Sequence, residues 1–183
     1  TAPIPDIYSP QEKDHMEGLR SGFSFSGDVD FYMLKYFGIG LKYNYFYKRN
    51  TSELIVSNAQ GIPVSLNVDS KLSLNYIAPK IVARLISPDN LHVIIAGISA
   101  GYYRYLHLMK FDDQFEIRGS SLGYAFDFGY EYILFKNFAI GLNASCIFGQ
   151  INEFYINQDK SEYYKDWSDI TQINIGIGIR YYH

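Results

Sequence analysis

SSLGYAFDFGYEYILFKNFAIGLNASCIF, residues 120–148, decides how the rest of the chain is read. Leu122, Tyr124, Phe126, Phe128, Tyr130, Tyr132 and Leu134 occupy every second position. Between them stand Ser121, Gly123, Ala125, Asp127, Gly129, Glu131 and Ile133. Successive side chains of a strand point to opposite faces, so one face here is large and apolar and the other small or charged. After a tight turn at Lys136–Asn137 the pattern resumes with Phe138, Ile140, Leu142, Ala144, Cys146 and Phe148. The stretch predicts a long antiparallel hairpin with one apolar face and one polar, glycine-containing face.

Working outward, five more segments repeat the pattern, giving seven predicted strands: 19–33, 37–48, 70–86, 91–106, 118–135, 138–150 and 170–182. In the first, Phe23, Phe25, Val29, Phe31 and Met33 oppose Arg20, Ser24, Ser26, Asp28 and Asp30. In the last, Ile173, Ile175, Ile177, Ile179 and Tyr181 oppose Gln172, Asn174, Gly176, Gly178 and Arg180. Within 70–86 the apolar phase changes. Leu72, Leu74 and Tyr76 are even, Ile81, Ala83 and Leu85 odd, which predicts a β-bulge near Ile77–Pro79. The stretch 1–18 carries Pro3, Pro5 and Pro10 and reads as an outer loop or arm. Residues 49–69, 107–117 and 150–169 read as polar loops, the domain proper being 19–183.

Composition excludes several classes. The chain has 183 residues, a net charge of −3 and a single cysteine, Cys146. This excludes an internal disulfide and a cysteine-built metal site, and argues against a nucleic-acid partner. No apolar run approaches the ~18–20 residues of a membrane-spanning helix. Neither a metal nor a cofactor is expected.

Two architectures produce such strands. In a soluble sandwich or lipocalin-like barrel the apolar rows face inward. In an outer-membrane barrel they face lipid, and the polar rows fill the lumen. Glycines in the polar rows, strands longer than the ~9–11 residues of a tilted crossing, and strictly alternating long and short connections favour the second. By parity the lumen then holds Arg20, Asp28, Asp30, Lys42, Lys80, Arg84, Asp127, Glu131 and Arg180 as a charge network. Such a network predicts a plugged interior. Aromatic belts follow near the strand ends: Phe37, Phe138 and Tyr181 at one interface, Tyr45, Tyr47, Tyr124 and Phe148 at the other.

The segments Asp28–Tyr32 and Tyr36–Tyr43, and the ending Ile175–His183, resemble small OmpA-type, porin-family outer-membrane barrels. The likeness runs from Leu19 to His183 and implies an all-β, antiparallel up-and-down transmembrane β-barrel of the eight-stranded type. It also implies residence in the bacterial outer membrane among lipid and lipopolysaccharide. Such barrels usually end in an aromatic residue, where this chain has His183. The implied role is a structural element, a surface-contact protein or a subunit with other outer-membrane proteins. The alternatives are a small-solute channel or a lipid A-modifying enzyme. No catalytic residues are assigned: His15 and His107 stand at the outer side, but neither sits in a His-x-Ser arrangement.

Phe154, Tyr155, Tyr163, Tyr164 and Trp167 mix aromatics with charge and mark a loop contact surface. The acidic residues of the outer loops are read as solvated, with shared divalent cations as the sharper option. An odd strand count leaves two edges, so an eighth strand is expected from residues ahead of Thr1 or from another chain.

Overall fold

The computed structural model describes residues 14, 18–19, 21–57, 63–110, 114–151, 154–157, 159–160 and 168–182. The strands are β1 (Phe23–Phe31), β2 (Phe37–Ser57), β3 (Pro63–Ile86), β4 (His92–Lys110), β5 (Gln114–Phe135), β6 (Phe138–Ile151), β7 (Phe154–Ile156), β8 (Asp159–Lys160) and β9 (Ser168–Tyr181). Seven of them form one antiparallel sheet in the order β1-β2-β3-β4-β5-β6-β9. The short β7–β8 hairpin pairs with β5 at Ile117–Gly119. The sheet curls into a half-barrel whose two ends, β1 and β9, share no ladder.

The short connection between β3 and β4 is closed by side-chain hydrogen bonds. In Ser87–Asn90 the Ser87 hydroxyl accepts from the His92 amide, and the Asp89 carboxylate accepts from the Leu91 amide. The Ser87 hydroxyl and the Leu91 N–H hold the Asp89 carboxyl below the ordinary aspartate range. Asn90 takes the left-handed conformation, φ 57°, which asparagine tolerates better than most residues. At the other end of the sheet two of the expected loops, 49–69 and 107–117, are largely strand. β2 and β3 stay paired out to Ser57↔Pro63, and β4 and β5 out to Lys110↔Gln114. The polar side chains of 49–69 and 107–117 suggested loops, but paired backbones satisfy each other's N–H and C=O groups whatever the side chains are.

The bulge expected in β3 does not form. The β2–β3 register runs without a shift from Phe37↔Ala83 to Ser57↔Pro63. The β3–β4 register is the same on either side of a gap at Ala78 and Pro79. Pro79 lacks the N–H a ladder would use, so pairing to β4 lapses there without a slip. Even-numbered residues therefore face the interior throughout, and Leu74 and Tyr76 are buried inside while Ile81 and Leu85 are exposed outside. The change of apolar phase is a change in which face is apolar.

Opposite the lapse, Gly101 lets β4 come close: a Cβ there would lie 2.3 Å from the Ile77 carbonyl oxygen and 2.6 Å from the Ala78 Cα. Gly27 on β1 has nothing within 4 Å of the same position. Gly101→Ala is therefore expected to destabilise by about 1–3 kcal/mol, as overpacking does. Gly27→Ala is expected to be neutral or slightly stabilising. Urea midpoints of the two variants would check this.

Candidate functional site

The inward rows bring charges from five strands together. Lys80 on β3 lies 2.9 Å from Asp30 and 3.3 Å from Asp28, both on β1. Arg180 on β9 donates to Asp30 at 2.7 Å and to Glu131 on β5 at 2.7 Å. Tyr182 donates its hydroxyl to the other Glu131 oxygen at 2.5 Å. Lys42 on β2 reaches Asp127 on β5 at 2.6 Å, linking strands that are not neighbours in the sheet. The Asp30 and Lys80 side chains are almost wholly shielded, at 1% and 2% exposure. Such charges persist away from water only when paired.

The sequence-derived network thus divides in three. Asp28, Asp30, Lys42, Lys80, Asp127, Glu131 and Arg180 come together as ion pairs. Arg84 does not join them: its guanidinium donates to the Lys35 carbonyl at 3.1 Å and lies 3.8 Å over the Tyr32 ring. That position, one step from the strand end, lets the side chain turn to the turn backbone instead. Arg20 lies outside the described residues.

Two apolar clusters share the interior, and sequence reasoning missed them. One holds Phe46, Leu74, Tyr76, Ala78, Tyr103, Ala125 and Ile147, and the other Val82, Val93 and Ile95. Tyr76, Tyr103 and Ile147 are fully buried, and the Tyr76 hydroxyl meets Ser99 at 3.0 Å. The signal was present: Phe46, Tyr103 and Ile147 stand in the otherwise polar phases of their strands.

On the outside, Phe37, Phe138, Tyr181, Tyr47, Tyr124 and Phe148 are exposed and Tyr45 is half-buried. Phe138 and Tyr181 meet edge to face with centroids 5.1 Å apart, and Phe126 and Phe148 do so at 6.1 Å. Of the expected loop contact surface, Tyr155 is exposed on β7. The Phe154 side chain and Tyr163, Tyr164 and Trp167 lie outside what is described, as do His15 and most of 1–18. His107 is buried in the interior, so it is not at an open rim. Among the described residues no three His, Cys, Asp or Glu groups could hold a metal ion, and no helix is long and apolar enough to cross a membrane.

Past the apolar face, Arg49 donates to both Asp69 oxygens, at 2.8 and 2.9 Å. This bond holds the Asp69 carboxyl below the usual range. The pair's contribution is therefore present above the ordinary aspartate pKa and fades as pH falls through the depressed one. With Arg49 more than half exposed it stays small.

No protein-family model matches the sequence, and neither the curated proteins nor the solved structures give a match. The fold and interior define an all-β half-barrel with a charged, partly apolar filling.

Lys42–Asp127 is the network's simplest element, one cation on one acid. Lys42→Met should cost about 3–5 kcal/mol, because it strands a largely shielded carboxylate. Adding Asp127→Leu should recover most of that loss. A double-mutant cycle on urea unfolding would measure both.

Proposed function

We propose that this chain is an integral outer-membrane β-barrel protein, in keeping with its resemblance to the OmpA-type, porin-family barrels. Its interior is plugged, and it acts as a structural element, a surface-contact protein or a subunit of an outer-membrane assembly. The observation that carries the reading is the apolar outer face. Along β5 it runs from Leu122 to Leu134 without a charge, and Ile94 and Ile98 on β4 and Ile140 and Leu142 on β6 continue it. A soluble protein rarely exposes an apolar patch beyond a few hundred Å². At ~3.4 Å per residue that run spans about 40 Å of strand, and at a tilt of ~45° about 28 Å of depth, the height of a bilayer's apolar layer.

The face also stops where a bilayer would. On β3 the outward row passes from Ile77 to Asn75, Ser73 and Lys71, and on β5 from Leu122 to Ser120 and Arg118. On this reading the short turns lie on the periplasmic side and the extended hairpins outside the cell. Lipid and lipopolysaccharide are the surroundings, with other outer-membrane proteins as candidate partners for the hairpins. The ion pairs and the fully buried Tyr76, Tyr103 and Ile147 leave the interior filled, which favours a plug over a solute channel.

Insertion tests the reading. Ile98→Lys, in the middle of the outer face, should weaken folding into lipid vesicles by about 2–4 kcal/mol, while Ser73→Lys should change it little. Equal effects, or a wild-type chain that ignores vesicles, would speak for a soluble protein. Steady single-barrel conductance in planar bilayers would replace the plug with a channel.

A further inference from the structure

The arginines on the outer surface of the hairpins differ in what holds them. Arg49 is held by Asp69 and Arg118 by Glu116. Arg104 on β4 is exposed and has no carboxylate partner among the described residues. The ladders fix its surroundings. It lies opposite Asn75 on β3 and Ser120 on β5. The preceding outward rung is Ile77, Tyr102 and Leu122, all exposed. Arg104 is therefore the first cation met on leaving the apolar outer rows of β3, β4 and β5.

Its neighbours suit an anion and do not neutralise the guanidinium. The Asn75 Oδ1 accepts from the Tyr43 hydroxyl at 3.0 Å, which leaves the Asn75 NH2 group to donate. Ser120 brings a hydroxyl from the other side. Ser73 on β3 and Arg118 on β5 stand on the diagonals, within reach of long side chains. The next carboxylate along β5, Glu116, is already taken by Arg118. A phosphate accepts two parallel N–H bonds from one guanidinium and keeps other oxygens for amide and hydroxyl donors.

The inference rests on the membrane reading and deepens it. Arg104 stands two residues past Tyr102, at ~3.4 Å per residue. On that reading the rung lies just beyond the hydrocarbon, where lipid headgroups begin. We propose that Arg104, with Asn75 and Ser120 beside it and Arg118 on the diagonal, binds the phosphate of an anionic membrane lipid. The lipid's chains lie along Ile77, Tyr102 and Leu122, so one ligand spans the apolar rung and the charged one. A soluble phosphate would use the charged rung alone.

Native mass spectrometry of the full chain in maltoside micelles tests this, with phosphatidic acid as the probe. Diacylglycerol of the same chain length, which lacks the phosphate, is the control lipid. The wild-type chain is expected to hold phosphatidic acid in preference to diacylglycerol. One basic charge at an anionic surface is worth a factor of about five in binding. Arg104→Gln should lower the preference by about that factor, with Arg104→Lys between the two. Lys136→Gln, at the opposite end of the sheet, removes the same charge and should change nothing. Ser120→Asp keeps Arg104 but gives it a carboxylate, and should lower the preference as Arg104→Gln does. It also serves if Arg104→Gln does not fold. Equal losses in Arg104→Gln and Lys136→Gln, or an undiminished preference in Ser120→Asp, would overturn the proposal. So would inorganic phosphate binding at Arg104 as tightly as the lipid, which would make the ligand a soluble anion. A chain that enters phosphatidylcholine vesicles but holds both probe lipids equally overturns this inference and leaves the membrane reading standing. A chain that ignores vesicles overturns both.

Discussion

Asp30 holds the two ends of the sheet in one electrostatic unit. Its carboxylate takes Lys80 from β3 and Arg180 from β9, while its own backbone belongs to β1. Backbone hydrogen bonds join each strand only to its neighbours, so they fix register but leave the curvature of an open sheet free. A shielded carboxylate with cations from two other strands removes that freedom, since flattening the sheet would separate charges that cannot return to water cheaply. Lys42 with Asp127 ties the middle of the sheet in the same way. The half-barrel is held curled from the inside.

The arrangement inverts the usual relation between core and surface. The interior carries seven paired charges together with buried Asn44, Ser99 and Gln172, and the exterior of β5 is apolar across its whole middle. Hydrophobic burial against the interior is confined to two clusters, around Tyr76–Tyr103 and Val82–Ile95. In water such a chain would expose Phe, Ile and Leu in continuous rows and bury its ions, a combination with little driving force for folding. The proposed membrane environment would remove that difficulty, because the outer rows would then need no cover and the ions would be shielded along with their partners.

Alternation made most of the strands legible. On β5 from Leu122 to Leu134, on β6 from Phe138 to Phe148 and on β9 from Ile173 to Tyr181 the period of two holds, the β5–β6 register shifting only between Ile133 and Phe135, and parity assigns Lys42, Lys80, Asp127, Glu131 and Arg180 to the interior faces where they are found. Alternation could not say how far hairpins continue, because pairing depends on the backbone, while side-chain polarity only reports the surroundings. Hence 49–69 and 107–117 read as loops although they are paired strand throughout 49–57, 63–69, 107–110 and 114–117. The reading of β3 failed for a related reason. Aligning Leu72, Leu74 and Tyr76 with Ile81 and Leu85 supposes one apolar face along the whole strand, whereas the interior is itself apolar at the level of Leu74 and Tyr76. Arg84 shows the limit of parity, which fixes a face but not the reach of a long side chain near a turn.

The change of face along β3 carries the synthesis one step further. Going from Leu85 toward Lys71, the outward row loses its apolar character after Ile77, while the inward row gains it at Tyr76, Leu74 and Leu72. Both changes fall within four residues of Pro79, near where β3 lets go of β4 and Gly101 admits the bare backbone. On the proposed membrane reading, a strand whose outside becomes polar has left its apolar surroundings, so beyond that level the structure needs a core of its own. Phe46, Tyr103 and Ile147 supply it from β2, β4 and β6. The outer hairpins are thus built by ordinary soluble-protein rules, standing on a segment built by the opposite ones. That division explains why one chain holds both a charged interior and an aromatic one without either disturbing the other.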